Sequence, residues 1–187
     1  MVAFPDVLTH NYDPTRGVAK NLCNLPHAQA EALLDDIRVS GKRAIKTNYL
    51  KRRLVTEDWL IAARHEKLGR THLKRPIYFF LGNFADGKDP SRPASLVMSL
   101  DAFDPDVLTF TYPDSMASLP LATEEKHAAH RRPYHGQVFT LAEIKAVVAQ
   151  FGLPGRGGRS EPAALYDSFI EAQVWDDRPV KRFLSPD

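Results

Sequence analysis

Hydrophobic positions change their spacing along this chain, and the changes predict where helices give way to strands. Within NLPHAQAEALLDDIRVSG, four apolar residues recur at helical spacing: Ala30, Leu33, Leu34 and Ile37. This spacing puts the four side chains on one helix face, and Pro near the start with Gly at the end is typical of helix boundaries. The pattern therefore predicts a helix between Pro26 and Gly41.

A second helix is indicated by its polar first turn. In TNYLKRRLVTEDWLIAARHEKLG, Thr56 is followed by Glu57 and Asp58, and Gly69 closes the segment. A Thr side chain can accept a backbone N–H bond at a helix start, where negative charge is also favoured. The sequence therefore predicts a short turn and then a helix that begins near Thr56.

Short runs of β-branched and aromatic residues follow, and these residue types favour strands. The runs RPIYFFLG, ASLVMSL and VLTFTY predict three successive strands. The segment GQVFTLAEIKAVVAQFG predicts a brief strand and then a helix, because Thr140 and Glu143 have the spacing of a capping box. The last two runs, FIEAQVW and VKRFL, are expected to finish the chain as strands.

This order of elements predicts an α+β fold, since helices and strands do not alternate as they do in a doubly wound sheet. A chain of 187 residues with 43% hydrophobic content fits one domain over residues 1–187. Gly and Pro dominate GLPGRGGRSEP, so an exposed loop is expected near residues 152–162.

Composition excludes several classes of protein. Lys+Arg 25 against Asp+Glu 23 gives a net charge of +2, too balanced for a dedicated nucleic-acid binder. Cys23 is the one cysteine, so no internal disulfide can form. The start MVAFPDVLTHNYDP lacks the features of a signal peptide, and no apolar run has the length of a membrane span. A soluble, cytoplasmic protein without a membrane partner is the expectation.

The strand FIEAQVW carries the most distinctive candidate site. Because side chains alternate between faces, Glu171 and Gln173 share one face with Phe169 and Trp175. The opposite face is entirely apolar and is expected to be core: Ile170, Ala172 and Val174. Polar groups framed by aromatic rings suit the wall of a cleft. A half-exposed strand face is the plainer interpretation of the same pattern.

Other segments supply candidate binding groups. The segment DVLTHNYDPTRG concentrates polar side chains, including His10 and Tyr12, in a context with turn chemistry. Tyr78 in IYFFLG lies on the opposite strand face from Phe79, so one aromatic can line a surface. The basic run LKRRL contains Arg52 and Arg53, which could contact phosphate, although such runs are usually solvated.

Two further chemistries stay open as weaker interpretations. His127, His130 and His135 suggest a metal-dependent hydrolase, but their highly charged context lacks a zinc-hydrolase motif. Cys23 lies just before the first predicted helix, where a thiol pKa can be lowered. No P-loop, dinucleotide fingerprint or G-x-S-x-G elbow occurs in the sequence.

Taken in chain order, four segments resemble the ADP-ribosyltransferase-like superfamily, in particular its small bacterial branch of DNA-modifying toxins. The segments are VLTHNYD, LLDDIRVSG, IYFFLG and IEAQVWDDRPV. The resemblance implies a split or strongly bent, mostly antiparallel sheet with helices packed to one side, around a cleft that binds NAD. It also implies transfer of ADP-ribose to an acceptor that is a protein or a nucleic acid.

The resemblance assigns roles to individual residues. His10 would contact the ribose on the adenosine side, Tyr78 would stack on the nicotinamide, and Glu171 would act at the nicotinamide ribose. Arg52 or Arg53 would reach ribose or pyrophosphate. Gln173, two residues from Glu171, would position the acceptor, and Tyr12 belongs to the same cofactor-binding group as His10.

The sequence also departs from the family pattern. Asn11 and Tyr12 follow His10 where members often have a hydroxyl residue, and Gln173 replaces a second acid found in arginine-modifying members. The acceptor is therefore open. A non-catalytic module that binds protein or nucleic acid, and the metal-dependent hydrolase, are the alternatives to a transferase.

Overall fold

The computed structural model describes residues 3–85, 89–154 and 167–185. The strands are β1 (Val7–Tyr12), β2 (Ile77–Leu81), β3 (Ala94–Ser99), β4 (Leu108–Thr111) and β5 (Glu171–Val174). The α-helices are α1 (His27–Val39), α2 (Tyr49–Leu68), α3 (Ser115–Thr123), α4 (Leu141–Phe151) and α5 (Arg178–Leu184). Most of the predicted Gly/Pro-rich loop, residues 155–162, lies outside the described residues.

The strands form one antiparallel sheet in the order β3-β1-β2-β5-β4. The predicted α+β class is therefore confirmed. β1 pairs with β3 along its whole length, but it pairs with β2 only at Leu8 and Thr9. Beyond Thr9 the two strands are no longer joined by the backbone ladder, and this opening lies beside the candidate site.

Apolar side chains cover both faces of the sheet. One face carries Leu8, Phe79, Phe110 and Ala172, and α4 packs on it through Ile144 and neighbouring apolar residues. On the other face, α2 contributes Leu60 to a cluster with Trp175. The expectation that helices pack to one side is therefore wrong, because β5 is buried on both faces and needs a cover on each.

The first helix, the three middle strands and α4 are confirmed, but α2 begins earlier than the sequence indicated. It starts at Tyr49, so Thr56 and Glu57 lie in its interior and both are buried. The predicted cap at Thr56 is wrong. The polar residues at this point have the pattern of a solvated first helical turn. Glu57 is buried instead, because other elements supply its hydrogen-bond partners.

Two short elements also differ from expectation. VKRFL forms part of α5 instead of a strand, with Pro179 in the first helical turn, where a missing N–H costs no helix bond. The brief strand expected before α4 is a single bridge between Phe110 and Phe139. The capping box of Thr140 and Glu143 at the start of α4 is confirmed. Across the described residues, no helix is both long enough and apolar enough to cross a membrane.

Candidate functional site

His10 occupies the opening between β1 and β2. Its Nδ1 is 2.8 Å from the carbonyl oxygen of Tyr78, and the backbone N–H of Ala19 donates to its Nε2 at 3.2 Å. A carbonyl only accepts, so Nδ1 carries the proton and the ring is neutral. Burial lowers the pKa of His10, which favours the same state. A side chain thus joins the two strands where the backbone ladder has ended.

A cavity of about 280 Å³ lies at this opening. Side chains from five parts of the fold line it: His10 of β1, Arg53 of α2, Tyr78 of β2, Glu171 of β5, and Asp114 before α3. The structure therefore brings together four of the predicted site residues, which are separated by up to about 160 positions in the chain.

A larger cavity of about 700 Å³ adjoins the first and shares several lining residues with it, including His10 and Lys20. Apolar residues of α1 line part of it, among them Leu33, Leu34 and Ile37. Five cationic side chains are also among its lining residues: Arg16, Lys20, Arg43, Arg92 and Arg75, the last of which is paired with Glu57. The combined cleft offers flat apolar surface and positive charge, which suits an elongated anionic ligand with planar rings.

Glu171 is held in a fixed orientation at the inner wall. Only 7% of it is exposed, and its Oε1 accepts bonds from the backbone N–H of Ser115 at 3.3 Å and from Nε2 of Gln173 at 3.0 Å. A buried carboxylate with such donors keeps one position, which a catalytic group requires. The interpretation of Glu171 as part of a solvated strand face is therefore wrong.

Gln173 has a different place from the one that the resemblance implied. It is fully buried, its Oε1 accepts from the hydroxyl of Thr109 at 2.9 Å, and its Nε2 donates to Thr111 at 3.2 Å as well as to Glu171. It is not among the residues that line either cavity. Direct contact between Gln173 and an acceptor is thus ruled out in this conformation, and Gln173 orients Glu171 instead.

Glu57 holds two residues that line the small cavity, Arg53 and Tyr78, and it was not among the predicted site residues. It is fully buried and accepts four bonds, from Asn21 at 3.0 Å, Arg53 at 3.3 Å, Arg75 at 2.8 Å and the Tyr78 hydroxyl at 2.9 Å. A buried carboxylate needs such compensation. The one sequence signal was its position four residues after Arg53, on the same helix face.

Arg53 and Tyr78 form a stacked pair. The guanidinium carbon of Arg53 lies 3.7 Å from the centroid of the Tyr78 ring, which is a cation–π contact. One face of Tyr78 is therefore covered by protein. Burial raises the pKa of the Tyr78 hydroxyl well above its usual value, so this group stays protonated and donates to Glu57.

Asp114 is a second carboxylate on the same cavity, and it too was not among the predicted site residues. It is the N-cap of α3, where its Oδ1 accepts from the backbone N–H of Ala117 at 3.1 Å. Burial and the negative charge of Glu171 raise the pKa of Asp114 to about 6, although Arg53 opposes the shift. Nothing in the sequence indicated that Asp114 caps a helix, because the segment SMASLPLAT after it contains Pro120 and was not recognised as helical.

The two remaining predicted cofactor residues lie away from Glu171. Tyr12 stacks on His10 with ring centroids 5.8 Å apart and lines the larger cavity. Arg52 donates to the backbone carbonyl of Met116 at 3.4 Å and lines neither cavity. Arg53 is thus the member of the basic run that reaches the site, because a one-residue step on a helix turns the side chain to another face.

The thiol and metal interpretations depend on Cys23 and on the three histidines at positions 127, 130 and 135. Burial and the nearby Glu57 raise the pKa of Cys23 to about 12, so the reactive thiolate is scarce. His135 is buried and its Nε2 lies 3.1 Å from Asp167. No group of three or more His, Cys, Asp or Glu side chains that could hold a metal ion is found within the described residues.

Comparison with known proteins adds no assignment: the chain matches no family model, and it has no significant match among the curated proteins or the solved structures.

Proposed function

We propose that this protein is an NAD-cleaving ADP-ribosyltransferase whose site is the cleft around Glu171. The observation that carries the proposal is the meeting of His10, Tyr78 and Glu171 in one cavity. These residues come from three neighbouring strands, and they are the ones to which the family resemblance gives roles. The larger adjoining cavity supplies basic side chains for the pyrophosphate of NAD.

The chemistry proposed for Glu171 follows from its environment. Cleavage of the N-glycosidic bond gives the electron pair to the nicotinamide nitrogen and leaves an oxocarbenium-like ribose. A carboxylate already oriented by Ser115 and Gln173 stabilises that positive charge without having to reorganise. The low exposure of Glu171 strengthens the electrostatic interaction, because little water screens it.

His10 and Tyr78 contribute differently from what the resemblance alone implies. Both ring nitrogens of His10 are already hydrogen-bonded within the protein, so its first task is to hold the opening between β1 and β2. Contact with a ribose hydroxyl requires exchange of the Ala19 bond. The planar nicotinamide is placed against the stacked pair of Arg53 and Tyr78, since these two side chains share the small cavity with Glu171.

The test is release of free nicotinamide from NAD, with a cell extract as the source of acceptors. We expect the wild-type protein to release nicotinamide, and Glu171→Gln to lose about 100-fold or more of that activity. Glu66→Gln is the matched control, because Glu66 is an exposed glutamate on α2. Release that does not depend on Glu171 contradicts the proposed role, and the absence of both release and saturable NAD binding favours the binding module.

A further inference from the structure

The proposed transferase chemistry needs a proton acceptor, and no residue described so far has that role. A neutral nucleophile that attacks the sugar carbon must lose a proton, and Glu171 is already assigned to the positive charge of the sugar. Gln173, at the position of a second acid in some family members, is an amide and is fully buried. The group that accepts the proton has to come from another element of the fold.

Asp114 has the position that this task requires. It lines the small cavity together with Glu171, although it comes from the turn between β4 and α3. Consecutive residues tie the two carboxylates to one helix start: Asp114 caps α3, and the next backbone N–H, that of Ser115, donates to Glu171. Their mutual placement is therefore set by the rigid first turn of α3.

The charged and titratable groups around Asp114 support proton transfer near neutral pH. Burial and Glu171 on β5 raise its pKa to about 6, while Arg53 on α2 and the backbone N–H groups of Met116 and Ala117 act in the opposite direction. A carboxylate with a pKa just below neutral is largely ionised, and it is a stronger base than an ordinary surface aspartate. Tyr78 on β2, in contrast, stays protonated.

We propose that Asp114 is the proton acceptor for the nucleophile that attacks the ribose carbon, an assignment that rests on the proposed transferase function. The bond from the sugar carbon to the nicotinamide nitrogen breaks, and nicotinamide leaves with the electron pair. The nucleophile X–H forms a new bond from X to the sugar carbon, and its proton passes to the Asp114 carboxylate and then to solvent. The acceptor class is therefore a neutral hydroxyl, amide or water, which needs such a base.

The decisive variant is Asp114→Asn. Asn is as good an N-cap as Asp, so α3 should keep its start, while the side chain can no longer accept a proton. Asp104→Asn is the matched control: Asp104 also caps a short helix through the backbone N–H of Asp106, but it does not line the small cavity. The thermal unfolding curves of both variants check that the fold is kept.

We expect Asp114→Asn to lower kcat for nicotinamide release by about 100-fold or more, to leave the Kd for NAD nearly unchanged, and to abolish the rise of kcat with pH around Asp114's pKa. Azide carries no proton at neutral pH, so it should restore the turnover of Asp114→Asn. It should not restore Glu171→Gln, in which stabilisation of the sugar cation is lost.

Four outcomes overturn the assignment. If Asp114→Asn keeps the wild-type kcat and pH profile while wild-type protein releases nicotinamide, the transferase function stands and the role of Asp114 is wrong. A loss that appears only in the Kd for NAD, or a loss that azide does not restore, shows that Asp114 serves binding or structure. If wild-type protein releases no nicotinamide, the proposed function fails and the assignment fails with it.

Discussion

Glu57 shows how a single residue can assemble a site that it does not enter. Its carboxylate accepts bonds from Arg53 and the Tyr78 hydroxyl, and so it fixes the stacked pair on the wall of the small cavity. It also neutralises Arg75, whose side chain donates to Oε2 at 2.8 Å. The positions of the groups proposed to meet nicotinamide therefore depend on a residue buried behind them.

Replacement of Glu57 should lower the free energy of unfolding. Glu57→Gln leaves Arg53 and Arg75 without their shared buried carboxylate, and loss of one partner from a buried ion pair costs about 3 to 5 kcal/mol. We expect urea unfolding to show a fall of this size in the free energy of unfolding. Glu66→Gln, an exposed change on the same helix, should stay within about 0.5 kcal/mol of wild type. Equal stabilities of the two variants would contradict the ion-pair account.

At the scale of elements, the start of α3 and the strand β5 act as one unit. β5 places Glu171 and Gln173 on the same face, and the hydroxyls of Thr109 and Thr111 on the neighbouring β4 hold Gln173. The α3 helix then approaches that face with its N-terminus, where backbone N–H groups favour a carboxylate. The polar side chains of β5 can be buried because β4 and α3 satisfy them.

The far side of α3 is fixed by a close approach of the chain at Gly136. This residue has φ +69°, and its N–H donates to the Ser118 hydroxyl of α3 at 2.9 Å. A Cβ on Gly136 would overlap with the side chain of Ala122. Gly41 also has a positive φ, of +65°, but nothing lies near the place of its missing Cβ.

The two glycines therefore make a matched pair for substitution. Gly41→Ala should cost about 1 kcal/mol, because only the backbone conformation is unfavourable. Gly136→Ala should cost about 1 to 3 kcal/mol more, since the new methyl group must also displace α3. The free energies of unfolding in urea measure both. If Gly136→Ala is no worse than Gly41→Ala, the close packing of α3 is not a constraint.

For the whole molecule, two groups in the cleft should give stability opposite dependences on pH. The pKa of His10 is lowered below 6.5, so its contribution is complete above that value and is lost as pH falls. The pKa of Asp114 is raised from 3.8 to about 6, so its contribution is complete below 3.8 and is lost as pH rises through 6. The free energy of unfolding therefore changes less with pH than either group alone would make it change.

Variants of Asp114 and His10 separate the two pH-dependent contributions to stability. As pH rises from 4 to 7, Asp114→Asn should gain stability relative to wild type, because it avoids the cost of ionising a buried carboxyl. As pH falls below 6.5, His10→Gln should lose less stability than wild type, since it has no imidazole to protonate. Urea unfolding across this range measures both differences. A constant gap between Asp114→Asn and wild type would show that Asp114 does not titrate abnormally.

Local sequence determined those features that one element can specify alone. The apolar spacing of α1, the short apolar runs of β2 to β4 and the capping box of α4 depend on neighbours along the chain, and all were predicted correctly. The alternation of faces in β5 likewise grouped Glu171 with Gln173. Segments with mixed signals, such as VKRFL and the start of α2, were assigned wrongly.

Tertiary structure decided which polar residues are buried and which of them meet. Burial of Glu57 depends on Asn21, Arg75 and Tyr78, which lie on other elements, and no local pattern encodes their approach. The meeting of Asp114 with Glu171 likewise required β4 and β5 to pair, which brings together positions far apart in the chain. Sequence fixes the chemical groups, whereas long-range pairing sets their distances, their burial and hence their pKa values.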